Sequence, residues 1–106
     1  MIYSEEENGQ QVLLKAGQLL KIALDSNPTT GYKWTIQKLP DSSFIHVQEV
    51  RYLPSQADLP LMGGGGRQYW TLKAVAPGRT SIQLRYSRSW ESVPALRTYQ
   101  LDIEIR

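Results

Sequence analysis

From Tyr99 to Arg106 apolar and polar side chains alternate without a break: Tyr99, Leu101, Ile103 and Ile105 against Gln100, Asp102, Glu104 and Arg106. A period of two puts one set on each face of an extended strand, and the dry face must then pack against another layer. The same period runs through Leu20, Ile22 and Leu24, where Lys21, Ala23 and Asp25 take the other face. It recurs in Tyr32–Trp34–Ile36, in Trp70–Leu72–Ala74, in Ile82–Leu84–Tyr86 and, briefly, from Val12 to Leu14. Between Ile45 and Tyr52 the alternation slips between Val47 and Val50, as a β-bulge would make it. No window carries a helical period, and no internal repeat is visible. About seven short alternating strands predict an all-β chain folded as an immunoglobulin-like β-sandwich of two sheets. A small closed barrel is the alternative. At 106 residues the whole chain, 1–106, reads as a single domain.

That domain has no cysteine. Disulfides, thiolate–metal sites and a cysteine nucleophile are thereby excluded, and the redox compartment stays open. Twelve basic and ten acidic residues leave a net charge of +2, spread along the chain. Nucleic-acid binding calls for a concentrated basic patch, so it is not expected. No apolar run reaches the roughly 18 residues of a membrane span. The acidic start, Glu5-Glu6-Glu7, reads as a solvated terminal run and not as a signal peptide. A leader removed ahead of Met1 would place the protein in the periplasm or outside the cell; without one it is cytoplasmic. Nothing in the pattern asks for an obligate dimer, and a monomer is expected. His46 is the single histidine and lies in a strand-like stretch without a partner cysteine, so it reads as a surface residue. Asp25 and Asp58 form a conceivable carboxylate pair, with nothing else to support acid–base chemistry. Trp34 and Trp70 fall on apolar strand faces and read as core. No catalytic set, metal set or cofactor motif emerges, and the chain does not read as an enzyme.

The connections carry more information than the strands. With each strand reversing the last, the turns at Ala16-Gly17, Pro40–Ser43 and Ala76–Arg79 fall at one end and are short and ordinary. The connections 26–31, 54–67 and 87–97 fall at the other end, and long loops in a compact domain usually have a job. In the first, Asn27-Pro28 starts a turn, Thr29 and Thr30 bring small hydroxyls to a tip, and Gly31 allows positive φ. The bland account is a well-made turn facing water. In the second, Leu61 and Met62 precede Gly63-Gly64-Gly65-Gly66, which lets another backbone approach closely; a flexible connector is the alternative. A phosphate loop would need Lys-Ser/Thr and a helix, whereas these glycines run into a strand. In the third, Arg88 and Trp90 are residue types enriched at interface hot spots. The other reading folds Trp90 back over the sandwich and pairs Arg88 with Glu91.

Taken together, Asn27-Pro28-Thr29-Thr30-Gly31-Tyr32, a glycine-rich loop before a strand, and Arg88-x-Trp90 before a final strand resemble the chagasin family of cysteine-protease inhibitors. The resemblance runs from about Leu19 to Arg106 in the family's order and spacing. It implies an immunoglobulin-like sandwich and, as partners, papain-like cysteine proteases of the cathepsin type. It also assigns roles. Thr29 and Thr30 would enter the cleft beside the catalytic cysteine. Leu61 to Gly65 would lie along the side that binds the N-terminal half of a substrate, and Arg88 and Trp90 would pack on the leaving-group side. The family usually has proline between that Arg and Trp; this chain has Ser89, which bears on where Trp90 sits. Binding would be reversible and non-covalent. A carbohydrate-binding or adhesion-type β-sandwich module is the competing reading, and glycan binding or failure to inhibit a protease would separate them.

Overall fold

A computed structural model describes residues 2–27, 30–54, 65–88 and 95–106. Its strands are β1 (Ile2–Tyr3), β2 (Gln11–Leu14), β3 (Leu19–Ser26), β4 (Tyr32–Lys38), β5 (Ile45–Pro54), β6 (Gly66–Ala74), β7 (Gly78–Arg88) and β8 (Arg97–Ile105), with a 3-10 turn at Glu5–Glu7. They form two four-stranded sheets, ordered β1-β3-β6-β5 and β2-β8-β7-β4. This is the expected sandwich, not a closed barrel. The alternating strands of the sequence are all present, and β1 is an addition too short to carry a period.

The core follows directly from the alternation. Leu20, Ile22, Leu24, Trp70 and Leu72 of one sheet meet Val12, Ile82, Leu84, Leu101 and Ile103 of the other, all fully buried. Trp34 and Trp70 meet edge to face, with ring centroids 6.4 Å apart at 87°, a favoured arrangement for aromatic quadrupoles. His46 is exposed, as expected. The slip in β5 is a break in register between Val47 and Glu49 against β6, as a bulge requires.

Three local expectations are corrected. The connections are shorter than the residue types suggest, because strand pairing reaches into them: Ser26 still pairs with Gly66, Arg67 with Asp25, and Arg88 with Tyr32. Ala23, assigned to the wet face, is buried. The Arg67 side chain covers that side of the strand, its Nη2 donating to the Ala23 carbonyl at 3.0 Å. Nor are the N-terminal glutamates a free acidic run. Ser4 N donates to Glu7 Oε1 at 2.6 Å, and Arg67 lies 3.5 Å from Glu5.

The plain end is closed by turn chemistry. Gly17 takes φ 95°, and Asp41 caps its own turn by accepting from Ser43 N at 2.9 Å. Gly78 sits against the Phe44 ring so closely that a Cβ there would come within 2.5 Å of it.

Candidate functional site: the end where three loops leave the sandwich

The strand registers bring the three loop bases together. Ser26 and Pro54 both pair with Gly66, one from each side, so the first and second connections leave from three adjacent strands. Tyr32, which ends the first connection, pairs with Arg88, which begins the third.

At this junction Gly66 has no room for a side chain. A Cβ would fall 2.3 Å from the Leu53 carbonyl oxygen and 2.6 Å from the Tyr52 hydroxyl. Glycine here lets β5 and β6 close tightly at the mouth of the second loop. A Cβ on Gly65 would meet the Ser26 carbonyl at an ordinary 3.4 Å, which sets the entry to β6 directly beside the first loop.

The first loop is held from inside. Thr30 N donates to the Asn27 carbonyl at 3.2 Å, and Thr30 Oγ1 donates to the same oxygen at 2.7 Å. Gly31 takes φ 82°, so the chain turns into β4 through the left-handed region, as its identity predicted. Beneath it stands an aromatic column. Tyr32 stacks on Tyr86 with centroids 5.4 Å apart, Tyr86 leans on Trp34 at 5.0 Å, and Trp34 reaches Trp70 in the core. The column's polar edges hold the loop: Asn27 N donates to the Tyr86 hydroxyl at 3.0 Å, and Trp34 Nε1 donates to the Asp25 carbonyl at 2.9 Å.

Arg88 couples the third loop to the first. Its guanidinium lies over the Tyr32 ring, 4.4 Å from the centroid, and its Nε donates to the Thr30 carbonyl at 3.0 Å. Cation–π contact and a charge-assisted hydrogen bond both favour this half-buried pose. On the returning side, Leu96 N donates to the Tyr86 carbonyl at 2.9 Å, so the exit of the third loop is tied to the same column.

Of the residues singled out by sequence, Asn27, Thr30, Gly31, Gly65 and Arg88 meet at this one end. Pro28, Thr29, Leu61, Met62, Gly63, Gly64 and Trp90 lie outside the described residues, as does Asp58. Asp25, the other carboxylate considered, pairs with Arg67 at 3.2 Å. Sequence reasoning missed the supports. Tyr86 reads as a strand residue like any other and Tyr32 only as the end of a motif; the available signal is that Tyr32 directly follows the 26–31 connection and Tyr86 directly precedes the 87–97 connection. Among the described residues no cluster of His, Cys, Asp or Glu is arranged to hold a metal, and no helix is long and apolar enough to cross a membrane. The arrangement fixes the bases of three loops relative to one another.

A family model for chagasin-family peptidase inhibitors matches residues 13–103. The chain belongs to the chagasin family. Its members are protease inhibitors, not enzymes. Chagasin of Trypanosoma cruzi is 33% identical over 91 residues, covering 82% of this chain and 80% of that protein. Amoebiasin-1 of Entamoeba histolytica is 27% identical over 106 residues, the full length of both. Among solved structures, the crystal structure of the cysteine protease inhibitor EhICP2 from Entamoeba histolytica superposes with a TM-score of 0.89 at 28% identity. That match covers 99% of this chain and 94% of that one. The likeness to EhICP2 includes the two-sheet sandwich, so fold and family agree with the sequence motifs.

Proposed function

We propose that this chagasin-family cysteine-protease inhibitor works by laying three loops, 26–31, 54–67 and 87–97, into the active-site cleft of papain-like enzymes of the cathepsin type. The observation that carries the reading is the cross-tying of the loop bases. Arg88 holds the Thr30 carbonyl, Tyr86 holds Asn27, and Gly66 lets the second loop leave beside Ser26. Fixing the loop bases before contact lowers the entropy lost on binding.

Each loop has a part that suits its residues. Thr29 and Thr30 enter beside the catalytic cysteine. Asn27 and Thr30 are closed on each other by two hydrogen bonds, whereas a protease cleft cuts extended backbone. The tip therefore blocks the nucleophile without aligning a peptide bond for attack, since catalysis needs near-perfect alignment. Leu61 through Gly65 lie along the non-prime side, where glycines offer main-chain hydrogen bonds without side-chain clashes. Trp90 packs on the prime side and buries a rigid surface at low entropic cost. Arg88 shares that side and also steadies the central loop. An interface of this kind is on the order of 800 Å² per partner.

The test is titration of the purified protein against papain, following peptide hydrolysis, with trypsin as a serine-protease control. Reversible inhibition of papain and none of trypsin supports the reading. Absence of inhibition across papain and a cathepsin panel refutes it.

A further inference from the structure

We propose that the N-terminal strap, Ser4–Asn8, is a fourth working part of the inhibitory end, and that Glu5 is its positioning residue. The proposal rests on the inhibitory reading of the three loops.

β1 runs parallel to β3, with Tyr3 opposite Ile22, and so heads toward the loop end. There the chain turns through Glu5–Glu7 and crosses to the other sheet. On the first sheet, the Glu5 carboxylate accepts from the backbone N of Asp25 and pairs with Arg67 at 3.5 Å. Arg67 also binds Asp25, at 3.2 Å. Asp25 and Arg67 are register partners one step before Ser26 and Gly66. The Glu5–Arg67–Asp25 cluster thus grips the first and second loops at their bases. On the second sheet, Asn8 Nδ2 donates to the Thr98 carbonyl at 3.2 Å, and Asn8 Oδ1 accepts from Gln100 N at 2.9 Å. Those residues open β8, immediately after the third loop returns. Just ahead of the first grip the strap is pinned by the Tyr99 hydroxyl, which donates to the Ser4 carbonyl at 2.8 Å.

One short segment therefore touches the strand ends of all three loops while lying outside the cleft-facing tips. A simple solvated terminus would not need a carboxylate accepting from a strand amide, nor a guanidinium shared between that carboxylate and the neighbouring strand. The strap acts by limiting how far the β3 and β6 ends move apart, and its loss raises the ordering cost of binding.

Two readouts test this. In the free protein, backbone amide exchange at Asn27 and Gly66 is compared with that at Leu84 and Ile103 in wild type, Glu5→Gln and Glu5→Ala. Exchange about fivefold faster at the loop bases, with the core amides unchanged, is the expected result for a local restraint. Against papain, the same variants should inhibit about five- to tenfold more weakly, with the loss in the dissociation rate. Adding Arg67→Gln to Glu5→Gln should cost less than Arg67→Gln costs in the wild type, because the two residues are coupled. Unchanged exchange at Asn27 and Gly66 in Glu5→Ala, or an equal rise at core and loop base, overturns the proposal. A wild-type protein that leaves papain active removes the inhibitory reading instead; the exchange comparison still decides whether Glu5 restrains the loop bases.

Discussion

Gly66→Ala isolates the contribution of close strand approach at the mouth of the second loop. The new methyl would lie 2.3 Å from the Leu53 carbonyl oxygen, 2.6 Å from the Tyr52 hydroxyl and 2.7 Å from the Pro54 Cα. Two of these three neighbours are backbone atoms, so no rotamer change relieves the clash. β5 and β6 must part, and parting them weakens the ladder that both strands share. Overpacking of this kind costs about 1–3 kcal/mol, and a backbone clash belongs near the top of that range. The matched control is one residue away. At Gly65 the methyl would meet its nearest neighbour, the Ser26 carbonyl, at 3.4 Å, an ordinary contact. Urea unfolding checks the pair: with a slope of roughly 1–2 kcal/mol per molar, Gly66→Ala should lower the midpoint by about 1.5–3 M. Gly65→Ala should move it little. Because the displaced β6 end also anchors the second loop, Gly66→Ala should weaken papain inhibition even where the protein remains folded. Equal midpoints for the two variants would refute the argument, since the only difference invoked is the space at each glycine.

Three further outcomes follow from the same geometry. Tyr86→Phe removes the hydrogen bond from Asn27 N beneath the first loop; its loss should cost about 0.5–1.5 kcal/mol in urea unfolding. Trp90→Ala should weaken papain inhibition by about 2 kcal/mol or more, the range of an interface hot spot, whereas His46→Ala should leave the inhibition constant unchanged. Burial first, then the charges of Glu7 and Glu5, raise the Tyr99 phenol above its ordinary value of 10.0. The unfolded chain then loses that proton before the folded one does, so the contribution of Tyr99 is fully present below about pH 10 and is lost as pH rises through the raised folded value. Alkaline unfolding should show this as a stability loss above that pH, and Tyr99→Phe should flatten the slope.

How much of this was legible in the sequence depends on what each residue answers to. Side chains whose position is set by burial alone were legible: the alternation in Tyr99–Ile105 and Leu20–Leu24 named the inner face of both sheets, and even the bulge near Val47 left its mark as a skipped beat. Residues fixed by register were not. Arg88 looked like a loop arginine until pairing with Tyr32 extended β7 to include it. Glu5 looked like one of three solvated acids until the parallel β1–β3 pairing carried it to Asp25 and Arg67. A two-residue parallel strand has no period to detect, and parallel pairing leaves no hairpin turn to announce it. Gly66 illustrates the limit most sharply. Within a run of four glycines nothing in the sequence distinguishes Gly66, which Tyr52, Leu53 and Pro54 of β5 crowd, from Gly65, where a Cβ would find ordinary room. The same residue type therefore meets different surroundings in consecutive positions. Its meaning at each depends on where β6 begins, which is a property of the paired strands and not of the glycine run.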